Sequence, residues 1–135
     1  MLFVTSQPDV PYFHWQIRVY VENFIKNGIN PNDIHVLLAI VVPNTQPTNE
    51  SLELKNLGIN VHHYFDDREN KKYIPSIKPF LIYKWLKQYP EYGDCFFLHD
   101  SDIIFRKLPN FDKLFNILTY LLCEVPFQLR SCVQI

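Results

Sequence analysis

From Pro11 onward the apolar residues Phe13, Ile17, Tyr20, Val21, Phe24 and Ile25 recur at helical spacing and mark one face of a first helix. Asp9 stands where a cap belongs, and Pro11 suits a first turn because its missing N–H costs nothing there. A weaker helical pattern covers Thr48 to Leu57 through Leu52, Leu54 and Leu57. A third helix is predicted from about Ile77 to Gln88, with Ser76 as its cap and Pro79 in its first turn. Between these segments lie short runs rich in β-branched and aromatic residues, at 2–5, 34–42, 60–65 and 95–99. The order β-α-β-α-β-α-β predicts an α/β fold, Rossmann-like, on a mainly parallel sheet with right-handed crossovers. The strands are mostly apolar, as strands covered on both faces must be.

Gly28, Gly58 and Gly93 each follow a helix-like segment and precede a strand-like run. All three are expected just past a helix end, where glycine accepts a positive φ without a Cβ clash. The chain has only these three glycines, so neither GxGxxG nor GxxxxGK[ST] occurs. A nucleotide bound here has to be held by other means.

The 135 residues suit one domain, and a hydrophobic share of 47% supplies its core. A net charge of −1 gives no electrostatic case for nucleic acid or an anionic membrane. No apolar run approaches the ~18 residues of a membrane span. No signal-peptide pattern is visible either, so no membrane span and a cytoplasmic location are expected. Cys95, Cys123 and Cys132 are odd in number and lack CxxC spacing, which predicts reduced thiols rather than disulfides or zinc.

Candidate chemistry concentrates in "FFLHDSDIIF" at Phe96–Phe105, where Asp100 and Asp102 follow an apolar strand. Burying an unpaired carboxylate costs several kcal/mol, roughly. The pair is therefore expected just past the strand end. In an open α/β sheet ligands bind at the carboxyl ends of the strands, where the strand order reverses. With strand order 3-2-1-4 that point lies between the first and fourth strands, beside Thr5 and Ser6. On an extended chain Asp100 and Asp102 face one site at a separation of roughly 6.7 Å, with Ser101 between them. Two convergent carboxylates suit a hard cation, Mn²⁺ or Mg²⁺, that clamps a diphosphate. The plainer reading is an Asp–Ser turn. Lys78, in the first turn of the third helix, opposes the helix dipole unless an anion binds there; otherwise it is a solvated lysine. Asp66, in the "DDR" cluster after the third strand, suits a ribose hydroxyl or a base N–H, or else a solvated loop. His62 and His63, with no partner at metal-ligand spacing, are expected to pack. Trp15 and Trp85 are expected in the core.

These segments resemble a DxD-type glycosyltransferase of the GT-A fold. "PYFHWQIRV", "SIKPFLIYKWL" and "CFFLHDSDIIF" are similar to the plant group of hydroxyproline O-arabinosyltransferases and peptidyl-serine galactosyltransferases. The matching residues are Tyr12, Trp15, Gln16, Lys78, Pro79, Trp85, Leu86, Asp100 and Asp102. The resemblance implies sugar transfer from a nucleotide diphosphate donor to a protein or glycan acceptor. It places Asp100 and Asp102 on the metal and Thr5 and Ser6 near the nucleotide; Asp66, Lys78 and Ser101 are the further candidates for the nucleotide-sugar site. It covers about residues 1–115, a nucleotide-sugar-binding half. The apolar stretch 116–135 reads as a tail at a truncated or frame-shifted chain end, which leaves a non-catalytic α/β remnant as the alternative. A DxDxT phosphatase is a poorer match, because position 104 is Ile and three strands precede the motif.

Overall fold

The computed structural model describes residues 1–93, 95–111, 113 and 114. Strands β1 (Leu2–Pro8), β2 (Ile34–Ile40), β3 (Asn60–Phe65) and β4 (Phe96–Leu98) form one sheet in the order β3-β2-β1-β4, with every pairing parallel. Helices α1 (Pro11–Lys26), α2 (Asn49–Glu53) and α3 (Ile77–Gln88) lie in the crossovers. This is the expected α/β architecture, and the strand order is the 3-2-1-4 on which the placement of the site depends. The tail 116–135, with Cys123 and Cys132, lies outside the described residues; Cys95 is a free, exposed thiol.

Alternation along the strands divides the core into two layers. Phe3, Val36 and Leu38 meet Ile17, Tyr20, Val21 and Phe24 of α1. Val4, Leu37 and Ala39 face the other way, onto Leu81, Ile82 and Trp85 of α3. Strand β2, covered on both sides, is buried along its whole length, which explains why it is apolar at every position but His35. By the same alternation Thr5 falls on the α1 side of β1 and Ser6 on the α3 side.

Local departures from the sequence pattern have local causes. β1 runs on to Pro8 because Ser6, Gln7 and Pro8 continue the pairing with Leu37, Leu38 and Ala39. The second helix is one short turn, capped by Thr48, which passes into a 3₁₀ turn at Leu54–Leu57. Val10, not Asp9, precedes α1, because the Asp9 carboxylate is bonded elsewhere. Ser76 precedes α3 without capping it; its hydroxyl donates to Tyr73 O. Gly28 and Gly58 take the left-handed φ of 92° and 78°. Gly93 does not: it closes the 3₁₀ turn Pro90–Tyr92 at φ −73°. Trp85 is fully buried, whereas Trp15 is 55% exposed on the outer face of α1, edge-on to Tyr12. Trp15 is thus not a core residue, since Ile17, Tyr20 and Phe24 already fill that helix's inner face. No helix among the described residues is long and apolar enough to cross a membrane.

Candidate functional site

The strand order reverses between β1 and β4, and a cleft of about 250 Å³ opens at their carboxyl ends. Ser6, Gln7, Tyr12, Gln16, Lys78, Asp100, Ser101 and Asp102 line it, with Ile74, Pro75 and Ile77 from the lead-in to α3. The cleft therefore gathers most of the residues singled out in the sequence.

The acidic pair does not sit on extended chain. Leu98 pairs with Val4, and the His99 N–H extends the ladder to Val4 O at 3.0 Å. The chain then leaves the sheet and turns at Ser101 and Asp102. Two bonds fix the departure. Ser101 Oγ donates to Gln16 Oε1 at 2.7 Å, with both residues buried, and His99 Nδ1–H donates to Asp100 O at 2.8 Å. Burial holds the His99 imidazole neutral, its pKa pushed down to about 4, although the Asp100 carbonyl and carboxylate both favour the proton. Asp100 and Asp102 are left exposed at the cleft, and Asp100 forms an ion pair with Lys78. Asp102 takes part in no ion pair among the described residues.

Ser6 lies in the cleft wall, 1% exposed, and its hydroxyl has no hydrogen-bond partner among the described residues. Buried hydroxyls are rarely left so, because desolvation without a partner costs roughly 1–3 kcal/mol. Thr5 is equally buried and unpartnered but sits in the α1 layer, away from the cleft lining.

The amino end of α3 offers an anion less than its position suggests. The 3₁₀ turn Ile74–Ser76 already uses the Ser76 and Ile77 amides, and Pro79 has none. The mobile charge of Lys78 is the stronger donor at that end.

Asp66 lies at the same sheet edge but outside the cleft lining. Its oxygens accept from Arg68 Nε at 2.7 Å and Arg68 Nη2 at 2.9 Å, and this pairing holds its carboxyl below the usual range. Arg68 also donates to Tyr73 O at 3.0 Å and to Ser76 Oγ. The pair thereby ties the end of β3 to the lead-in of α3, the element that carries Lys78.

His62 and His63 pack, as expected, but through specific bonds. His62 Nε2 lies 3.2 Å from His35 Nδ1, beside Trp85 and Tyr89. His63 Nε2 lies 2.9 Å from Ser51 Oγ. The sequence reading missed a polar hub at Asp9. That carboxylate accepts from Thr48 N, Thr48 Oγ1, Ser51 Oγ and His14 Nε2, at 2.7 to 3.1 Å. It also missed Asn23, whose amide brackets Phe105: Phe105 N donates to Asn23 Oδ1 at 2.7 Å, and Asn23 Nδ2 donates to Phe105 O at 3.0 Å. The signal was present, for His14 and Asn23 are polar residues next to the apolar stripe of α1.

Among the described residues no three His, Cys, Asp or Glu side chains are gathered as a metal cage. Among the side chains that line the cleft, the Asp100 and Asp102 carboxylates and the unpartnered Ser6 hydroxyl are oxygen donors. That set fits a hard divalent cation completed by a ligand's phosphate oxygens, the usual manner for Mg²⁺. Comparison with family models, curated proteins and solved structures returns no match.

Proposed function

We propose that the cleft binds a nucleotide diphosphate sugar together with Mn²⁺ or Mg²⁺, and that the chain is the donor-binding part of a metal-dependent glycosyltransferase. The observation that carries this reading is the convergence of Asp100, Asp102, Lys78 and the unpartnered Ser6 hydroxyl on one cleft at the reversal of strand order. The sequence resemblance to DxD-type enzymes, carried in part by the same Lys78, Asp100 and Asp102, agrees with it.

Asp100 and Asp102 would hold the cation. When bound, the metal neutralises charge on the diphosphate as the sugar departs. The chain's own groups do the rest. Lys78 places an ammonium against the phosphates, and the Ser6 hydroxyl, buried in the cleft wall without a partner, donates to a phosphate oxygen once it turns into the cleft. Ser101 acts through Gln16, fixing the turn that presents both carboxylates. Asp66 serves the site through Arg68 and the lead-in to α3 rather than by touching a ribose, because its oxygens are already engaged.

A second reading, a non-catalytic α/β module, is favoured by one observation: Asp100 already has a partner in Lys78. Release of nucleoside diphosphate from a panel of nucleotide sugars, with Mn²⁺ present, separates the two. Turnover that is lost in Asp102→Asn supports the transferase. No release from any donor leaves the binding module.

A further inference from the structure

The ion pair between Lys78 and Asp100 places a cation of the protein on a carboxylate assigned to the metal. We infer that Lys78 is an exchangeable counter-ion, which makes the cleft take metal and diphosphate together and resist metal alone. The inference rests on the metal–diphosphate reading above and adds the order of assembly to it.

The charges require this coupling. Lys78, Asp100 and Asp102 together carry one net negative charge. A divalent ion arriving alone competes with the ammonium for Asp100 and leaves it displaced beside a second cation, in a cleft whose lining holds no third carboxylate. A diphosphate removes the conflict. Its oxygens accept the displaced ammonium, complete the metal's coordination and take a bond from the Ser6 hydroxyl, which is buried in the cleft wall without a partner. The four-carbon stem of lysine permits the swing without backbone movement. Lys78 lies in the first turn of the third helix, while Asp100 follows β4, so neither needs to leave its element. Because linkage is reciprocal, the factor by which pyrophosphate tightens metal binding equals the factor by which metal tightens pyrophosphate binding.

The test uses Mn²⁺ and inorganic pyrophosphate, which requires no knowledge of the base or sugar. Free Mn²⁺ is followed by electron paramagnetic resonance, with its complex with pyrophosphate in solution subtracted. Wild type, Lys78→Met and Lys78→Arg are compared after circular dichroism has shown all three folded. Removing the competing charge in Lys78→Met is expected to tighten Mn²⁺ alone by about fivefold, the scale of an exposed ion pair. It is also expected to reduce the enhancement by pyrophosphate about tenfold, the scale of a charged hydrogen bond. Lys78→Arg is expected to retain the enhancement. Mn²⁺ binding that is unchanged or weaker in Lys78→Met overturns the inference and leaves the metal site standing. If neither wild type nor Lys78→Met binds Mn²⁺ with or without pyrophosphate, the metal site fails and the inference falls with it.

Discussion

Ser101 Oγ donates to Gln16 Oε1 at 2.7 Å, joining positions 85 residues apart and pinning the acidic turn to the first helix. Both residues are buried, so the bond sets where the chain leaves the sheet and therefore where Asp100 and Asp102 point. Gln16→Leu strands the Ser101 hydroxyl without its acceptor. The expected cost is about 1–3 kcal/mol of unfolding free energy, read as a lower urea midpoint at unchanged slope. The double variant with Ser101→Ala is expected to be less damaging than the sum of the singles, because no buried polar group is then left alone. Additive losses would show that the bond contributes nothing.

The Asp9 hub gives acid sensitivity. Burial alone would raise the Asp9 carboxyl, but hydrogen bonds from Thr48, His14 and Ser51 outweigh it and hold the pKa below the usual 3.8. A group with a depressed folded pKa contributes stability that is complete above its unfolded pKa and lost as pH falls through the folded value. Asp9→Asn is therefore expected to destabilise the protein at neutral pH and to flatten the stability curve below about pH 4. Urea unfolding of both proteins between pH 3 and 7 measures it, and parallel curves would refute it.

The His35–His62 pair acts in a different window. His62 is held down to about 4 by burial first, then by the charges of His35, His63 and Lys55; His35 is lowered by burial against the pull of Asp33. Between the unfolded pKa of 6.5 and a folded value near 4 the unfolded chain binds more protons, so stability falls as pH drops through that range. The contribution of His62 is on the order of 2 kcal/mol after allowance for its partial exposure. His62→Gln is expected to reduce the slope between about pH 6 and 4 by one imidazole's share, the buried His99 contributing to the same window. An unchanged slope would assign the acid response elsewhere.

The backbone plan was legible in the sequence where burial imposes a period. The stripe Ile17, Tyr20, Val21, Phe24 and the apolar run Val36–Ile40 of β2 specify a helix and a doubly covered strand. The end of β1 was not legible, because Ser6, Gln7 and Pro8 read as loop residues and their pairing with β2 is a tertiary fact. Gly58 takes the left-handed φ expected of it and Gly93 does not, although each closes a 3₁₀ turn. At the site, the spacing of Asp100 and Asp102 located the carboxylates at the right edge, but extended geometry misplaced them in detail. The turn depends on Gln16, far away in sequence. For Asp66 the sequence left a ligand contact and a solvated loop both open, because nothing local reveals that Arg68, two residues on, folds back onto both of its oxygens. Trp15 shows the opposite limit: an aromatic on an amphipathic helix is placed by which face is already full.

The most direct measurement is calorimetric titration of the protein with nucleotide diphosphate sugars in the presence of Mn²⁺, for wild type and Asp102→Asn. Asp102 is exposed and forms no ion pair among the described residues, so its replacement leaves the fold intact and removes only a carboxylate from the cleft. The expected result is saturable heat with at least one donor in wild type, absent without Mn²⁺ and weakened tenfold or more, roughly, in Asp102→Asn. No saturable heat from wild type with any donor, or equal heat from Asp102→Asn, would contradict a metal-held diphosphate at this cleft.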